Sequence, residues 1–295
     1  MHPAPSLIAF SVLSGLGLGL LAMLGLGLIV PTGWAAFLWF GLGYALTLCG
    51  LGASALHLRH PERALKAFTQ WRTSWLSREA VLALAALLLI APHAAGSVFL
   101  ARPMPALGLV AALMALLTVL ATAMIYAQLR TVPRWHHWSV PVLFLLAAFA
   151  GGLLLIGSTT LAPLALALLA VALLAHWMIG DQRFAGAGHT GETATGLGPL
   201  GQVRQLEPPH TGTNYLLREM AHVVARRHAI KLRVLALVCA AVLPMLLLVL
   251  TPVGQPVSPP VWALAVALHV LGMLAARWLF FAEAEHVMGL YYGRH

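Results

Sequence analysis

Charged residues are scarce in this chain: they make up 8% of its 295 residues, whereas 61% are hydrophobic. A typical soluble domain contains about 25% charged residues, so the composition excludes an ordinary soluble fold. Several apolar runs also exceed the roughly 18 residues at which a hydrophobic segment indicates a transmembrane helix. The chain is therefore predicted to be all-α, a polytopic helix bundle that is integral to a membrane.

Cysteine is scarce as well, with two residues in the chain. Cys49 and Cys239 lie in separate apolar spans, where each is predicted to be a buried small hydrophobic residue. An iron–sulfur cluster needs about four thiolates, so none is expected in this chain, and no other metal site is predicted. Nucleotide-binding signatures are also missing, since there is no P-loop and no GxGxxG between a strand and a helix. The repeated glycines of residues 15–27 instead indicate close helix packing.

Hydropathy predicts eight transmembrane helices, and the chain is interpreted as one membrane domain over residues 1–295. Two extended loops, at about 58–78 and 180–230, interrupt it on one side. Because of Gly151 and Gly152, the fifth and sixth spans are also compatible with one broken helix. The predicted spans are 6–29, 34–57, 79–100, 105–129, 138–158, 160–179, 232–251 and 259–281.

Positive charge is distributed unevenly between the two sides of the predicted bundle. Sixteen of the 17 Lys and Arg residues fall on the side of the extended loops, and only Arg102 falls on the other side. All eight acidic residues fall on the first side too. Because Lys and Arg in short loops favour the cytoplasmic face, both termini and both extended loops are predicted to be cytoplasmic, in a bacterial inner membrane.

The net charge of +9 does not indicate a nucleic-acid partner. The arginines lie beside membrane spans among Leu, Trp and Phe, which favours membrane lipid and a docked protein as partners. The orientation of the helices in the membrane is enough to explain most of these charges, but it does not explain the length of the 180–230 loop. The residues predicted to place a protein partner are Arg59, Arg63, Lys66, Arg72, Arg218, Arg226 and Arg227.

Ionisable side chains at the ends of spans carry the functional information, because a charge in hydrocarbon needs compensation. His57 ends the second predicted span and Glu79 begins the third, so the two lie at similar depth. An imidazole that titrates near neutral pH, together with a carboxylate, suits proton exchange at the oxygens of a quinone. Arg78 is adjacent to Glu79, and Trp71 and Trp75 are available as walls for a ring.

Each of these residues also has a simpler interpretation. Glu79 is compatible with a structural carboxylate in the first turn of a helix, with Ser77 as the N-cap. The histidines are compatible with b-type haem, which needs two imidazoles at similar depth on neighbouring helices. Only His57 and His176 meet that condition, so one haem is an open alternative, two are excluded, and none is expected.

Three segments resemble the membrane-anchor subunit of the dimethyl sulfoxide reductase family: SALHLRHPERALKAF with TSWLSRE, TGTNYLLREMAHVVARRHAIKLR, and RWLFFAEAEHVMGLYYG. The resemblance extends over all eight predicted helices. It implies an anchor without haem or metal that exchanges electrons with ubiquinone or menaquinone. The implied partners are a four-cluster ferredoxin-like iron–sulfur subunit and a molybdopterin catalytic subunit. The family's quinone-site histidine falls on His57 and its glutamate on Glu79.

The direction of electron flow stays open, because the family includes quinol-oxidising sulfoxide reductases and quinone-reducing sulfite dehydrogenases. The TGTNYLLREM block and a cytoplasmic docking face favour the sulfite-oxidising branch, with a menaquinol-oxidising anchor as the alternative. A transporter and a purely structural tether are more distant alternatives. No Asp, Glu, Lys or Arg is predicted at mid-depth and no internal repeat is evident, which disfavours a transporter.

Overall fold

The computed structural model describes residues 3–56, 60–204, 206–207, 228–252 and 255–292. These residues form helices and loops without a strand, which confirms the predicted all-α class. Short 3-10 helices cover Pro61–Phe68, Gly198–Leu200 and Val287–Tyr292. The other helices, α1 to α9, cover Pro5–Gly25, Gly33–Ala55, Trp75–Phe99, Pro105–Ala127, Ser139–Leu155, Leu161–Gly186, Gly191–Thr195, Ala229–Val249 and Pro259–Ala282.

Seven of the described helices are long and apolar enough to cross a membrane: α1 to α4, α6, α8 and α9. The predicted span at 138–158 corresponds to α5, which has 17 residues. Its length is about 25 Å at ~1.5 Å per residue, less than the ~30 Å hydrocarbon thickness of a bilayer. The predicted count of eight spans is therefore not confirmed. α5 and α6 are separate helices, with Gly157 between them at a φ of +69°, a conformation that glycine adopts without strain.

Helix α1 lies at the centre of the bundle and packs against α2, α4, α5 and α9. Glycine makes this packing possible. A Cβ atom added to Gly19 would overlap the backbone of Ala148 in α5, while Gly17 and Gly25 meet the backbones of α2 and α4 in the same way. Small residues allow helices to approach closely in a membrane, where no hydrophobic force drives them together. The interpretation of the glycines of residues 15–27 as packing residues is confirmed for Gly17, Gly19 and Gly25, whereas no atom lies within 4 Å of a Cβ atom added to Gly15 or Gly27.

The predicted burial of both cysteines is wrong. Cys49 is exposed on α2, and Cys239 is half-buried in α8. An apolar span in a membrane bundle has one face toward neighbouring helices and another toward lipid, and hydropathy does not distinguish the two faces. Cys49 belongs to the outer face.

Four charged side chains form ion pairs that link the helices at the end of the bundle that carries the extended loops. Arg134, between α4 and α5, donates to Asp181 of α6 at 2.9 Å and to Glu283 after α9 at 2.7 Å. Arg233 of α8 donates to the same two carboxylates, at 2.6 Å and 2.8 Å. Arg134 and Glu283 are buried, so their charges need this mutual compensation. We call these four residues the ion network.

Candidate functional site

A cavity of about 830 Å³ opens between α1, α2, α3, α4 and the 3-10 helix Pro61–Phe68. Its lining is mostly apolar, and the described polar residues that line it include Glu79, Tyr126 and His60. The side chains of Glu79 and Tyr126 are more than nine-tenths buried, whereas His60 is exposed. We call this space the Glu79 cavity.

The first turn of α3 sets the position of Glu79. Ser74 is the N-cap and accepts a hydrogen bond from the backbone N–H of Ser77 at 3.4 Å. The hydroxyl of Ser77 donates to the carbonyl oxygen of Ala67 and accepts from the backbone N–H of Gln70, which ties the 3-10 helix to α3. The prediction that Ser77 is the N-cap is therefore wrong. Glu79 lies beyond the first turn and faces the cavity, because the helix begins at Trp75.

Glu79 has a hydrogen-bond partner in each of its protonation states. Its Oε1 atom is bonded to the hydroxyl of Thr122 in α4, and the same hydroxyl lies 3.0 Å from the carbonyl oxygen of Thr118. A hydroxyl has one proton to donate. Thr122 either donates to the carboxylate, or accepts from the carboxylic acid and donates to Thr118. Glu79 can therefore gain or lose a proton without leaving a buried polar group unpaired.

Arg78, Trp71 and Trp75 are not among the described residues that line the Glu79 cavity. The guanidinium of Arg78 lies 4.3 Å from the centroid of the Trp75 ring and donates to the carbonyl oxygens of Trp71, at 3.0 Å, and Arg72, at 2.7 Å. These contacts hold together the turn that leads into α3. The predicted contact of Arg78 and the two tryptophans with a quinone ring stays a prediction.

The structure describes only part of the predicted docking set. Arg63 and Lys66 are exposed on the 3-10 helix and line the outer part of the Glu79 cavity, and Arg72 is exposed in the following turn. His57, the histidine predicted for a quinone site, lies outside the described residues. Four predicted docking residues also lie outside them: Arg59, Arg218, Arg226 and Arg227.

The haem alternative required His57 and His176 at the same depth. His176 is buried between α5 and α9, with its Nδ1 atom 3.0 Å from the hydroxyl of Ser139 and its ring stacked on Phe280 at a centroid distance of 5.9 Å. Since His57 lies outside the described residues, this alternative stays untested.

Three residues of the site were missed by sequence analysis: His60, Thr122 and Tyr126. Thr122 and Tyr126 lie four residues apart on α4 and therefore share one face of that helix. Together with Thr118, they place three polar side chains at four-residue intervals in a mostly apolar span, and this spacing was the available signal. His60 lies within the HLRHPER segment, directly before the 3-10 helix that borders the cavity.

Comparison with known proteins connects this site to a family. The model of the DMSO reductase anchor subunit (DmsC) family matches residues 1–185, which include every described residue lining the Glu79 cavity. The chain is similar to a sulfite dehydrogenase subunit of Allochromatium vinosum, with 32% identity over 323 aligned positions that cover 99% of each chain. No solved structure matches the chain.

Proposed function

The chain belongs to the DMSO reductase anchor subunit family, and we propose that it is the quinone-reactive membrane anchor of a molybdopterin and iron–sulfur oxidoreductase complex. The observation that carries this proposal is the Glu79 cavity, which combines a buried carboxyl group with apolar walls. Sites for small organic ligands have this character, with a largely apolar surface and a few convergent polar groups.

The residues present fit a quinone. The cavity of about 830 Å³ lies within the ~300–1,000 Å³ that ligand sites occupy. Its apolar lining suits a ring and the start of an isoprenoid tail, and the described polar groups suit the ring oxygens. A bound quinone supplies the redox chemistry, taking up electrons and protons to become quinol. Either ubiquinone or menaquinone fits this description.

Residues of this chain would bind and release the protons that the quinone exchanges. Glu79 holds or releases a proton at its carboxyl oxygen, and Thr122 adjusts its own donation to match. Glu79 is 6% exposed, so the surrounding apolar walls limit competition from bulk water. His57 is proposed as the second proton-exchanging group.

The exposed segment next to the cavity suits a docked iron–sulfur subunit. Leu65 is 78% exposed and Trp71 is 55% exposed, with Arg63, Lys66 and Arg72 around them. Apolar and aromatic side chains with arginine are typical of protein interfaces. A subunit seated there would lie directly over the Glu79 cavity, and this subunit would in turn hold the molybdopterin subunit. By the positive-inside rule, this face and both termini are proposed to be cytoplasmic, in a bacterial inner membrane.

We favour quinone reduction coupled to sulfite oxidation. The relative from Allochromatium vinosum is a sulfite dehydrogenase subunit, and it aligns with the chain over nearly the whole length of both. The alternative is a menaquinol-oxidising anchor, as in the dimethyl sulfoxide reductases after which the family is named.

The substitution Glu79→Gln tests the proposal, because it keeps the size of the side chain and removes the exchangeable carboxyl proton. We expect quinone-coupled turnover of the complete complex to fall about 100-fold, in the range contributed by general acid–base groups. Turnover with an artificial dye, which accepts electrons from the partner subunits, should not change.

The matched control is Glu207→Gln, an exposed glutamate in the loop after α7, which should keep both activities. Normal quinone turnover by the Glu79→Gln complex would overturn the proposed site. Failure of the chain to co-purify with iron–sulfur and molybdopterin subunits would overturn the proposed complex.

A further inference from the structure

Thr122, which bonds Glu79, also lines a second and much smaller cavity. This cavity has a volume of about 20 Å³ and lies between α1, α4, α5 and α9. Arg277 and His269 of α9 line it, and their exposed fractions are 3% and 1%. We call it the inner chamber.

Three buried nitrogen atoms at the inner chamber have no hydrogen-bond partner among the described residues. They are Nε and Nη1 of Arg277 and Nε2 of His269. The Cζ atom of Arg277 lies 3.5 Å from the centroid of the Phe144 ring, which compensates part of its charge. The face of the ring does not take up the in-plane N–H donors of the guanidinium. Buried polar groups without partners are rare, so these three atoms require an explanation.

The hydrogen-bond roles of these atoms are complementary. The Nδ1 atom of His269 lies 2.6 Å from the carbonyl oxygen of Ala240. Because a carbonyl oxygen only accepts, Nδ1 carries the proton and Nε2 of the neutral imidazole is an acceptor. The nitrogens of Arg277 only donate. The chamber therefore contains donors and an acceptor that one water molecule can join, and its volume exceeds the ~10–15 Å³ that a water requires.

The serines of the chamber add acceptors rather than donors. The hydroxyl of Ser11 donates to the carbonyl oxygen of Ile8 at 3.0 Å, and the hydroxyl of Ser14 donates to that of Phe10 at 2.6 Å. Both protons are therefore used within α1. Among the described polar side chains of the chamber, Arg277 has the donors that lack a partner.

We propose that the inner chamber binds one water molecule that connects Arg277 to the quinone site. The water accepts from Arg277 and donates to Nε2 of His269 and to the hydroxyl oxygen of Thr122, and Thr122 directs its proton to Glu79. Arg277 is thereby a positioning residue that acts on Glu79 through the water and Thr122. This inference rests on the proposed function, since it deepens the role of Glu79 in proton exchange.

The arrangement separates proton exchange from quinone binding. Arg277 and Thr122 are not among the described residues that line the Glu79 cavity. Their loss should therefore lower kcat for quinone, because the Glu79 carboxyl group is no longer held in place. It should leave KM nearly unchanged, because the walls that contact the ring are intact.

The substitution Thr122→Val, made in the complete complex, removes the hydroxyl at nearly constant volume. We expect kcat with a water-soluble quinone to fall about tenfold, since small displacements of a reacting group have effects of this size or larger. The matched control is Thr47→Val, a buried threonine of α2 that lines neither cavity and whose hydroxyl donates to the carbonyl oxygen of Gly43 in its own helix at 2.8 Å. This control should keep both kcat and KM.

Arg277→Met and Arg277→Lys give a second and independent test. Methionine removes all donors but keeps an unbranched side chain, and we expect kcat to fall as it does in Thr122→Val. Lysine restores a donor and should bring kcat to within about threefold of the unmodified complex. The double variant Thr122→Val/Arg277→Met should be no slower than the slower single variant, because both changes interrupt the same connection.

The results of these experiments separate the two proposals. Full turnover by Thr122→Val and Arg277→Met, combined with lost turnover by Glu79→Gln, would overturn the inner-chamber inference and leave the quinone site standing. An increase in KM at constant kcat, or multiplicative effects in the double variant, would also overturn the inference. Full turnover by Glu79→Gln would overturn the proposed function itself. A structure of the complex that resolves water should show it between Arg277 and His269, and direct contact between these side chains would contradict the inference.

Discussion

Two acidic side chains among the described residues are buried, Glu79 and Glu283, and their partners differ in charge. Glu283 accepts hydrogen bonds from Arg134 and Arg233, whereas Glu79 is bonded to the neutral hydroxyl of Thr122. Protonation of Glu283 would break two ion pairs and leave buried positive charge uncompensated. Protonation of Glu79 only reverses the direction of one hydrogen bond. Glu79 is therefore suited to proton exchange, and Glu283 to holding helices together.

His57, the histidine proposed for the quinone site, allows a test at the scale of a single residue. We expect His57→Ala to abolish quinone-coupled activity and to leave artificial-dye activity of the partner subunits intact, because an imidazole exchanges protons near neutral pH and alanine does not. The measurement compares the two activities in membranes that contain the complete complex.

His189→Ala is the matched control for His57→Ala, since His189 is exposed in the loop after α6 and should tolerate the change. Full quinone turnover by His57→Ala would remove this residue from the site.

At the scale of the element, helix α1 shows how a membrane bundle replaces the hydrophobic effect with close packing. Its glycines bring its backbone against α2, α4 and α5, and those contacts arrange the helices around the Glu79 cavity. Leu7 and Phe10 of the same helix form part of the cavity wall. A change in the packing of α1 should therefore affect both stability and the site.

The substitution Gly19→Ala tests this packing. The new methyl group would overlap the backbone of Ala148, and overpacking of this kind lowers the free energy of unfolding by about 1–3 kcal/mol. The measurement is the thermal unfolding midpoint of the purified chain in detergent.

Gly41→Ala on α2 is the control for Gly19→Ala, because no atom lies within 4 Å of its added Cβ atom. Alanine favours a helix over glycine by about 1 kcal/mol, so this control should be neutral or slightly stabilising. Equal midpoints for the two variants would contradict the packing argument.

At the scale of the whole molecule, the ion network connects parts of the chain that are far apart in sequence. Arg134 and Asp181 are 47 positions apart, and Arg134 and Glu283 are 149 positions apart. The four residues hold the ends of α6, α8 and α9 against the segment before α5. The charges of the network sum to zero, as a partly buried cluster requires.

The substitution Arg134→Ala should destabilise the whole bundle. It leaves buried Glu283 with one arginine in place of two; complete loss of a buried partner costs about 3–5 kcal/mol, and this partial loss should cost less because Arg233 remains. We expect Arg134→Ala to lower the thermal unfolding midpoint. The control Arg130→Ala should lower the midpoint less, because Arg130, four residues earlier in the chain, is exposed. Equal midpoints would show that the network does not stabilise the fold.

The sequence by itself determined the helices and the main residue of the site. Backbone polar groups in hydrocarbon must be paired within a segment, so long apolar runs become helices wherever they occur. Glu79 could be identified because it is an acidic residue at the end of such a run, within a family motif. The sequence predicted the lengths of the helices less accurately. Helix α5 is shorter than the span predicted at 138–158, because residues 156–160 turn the chain before α6.

Only the tertiary structure decided which faces of the helices meet. It brought Thr122 to Glu79, Arg277 and His269 to the inner chamber, and Arg134 to its two carboxylates. Hydropathy measures the affinity of a segment for lipid and has nearly the same value on all sides of these helices, so it does not contain this information. The contacts between helices depend on the shapes of small residues and on the pairing of a few polar atoms, and both become defined only when the helices pack together.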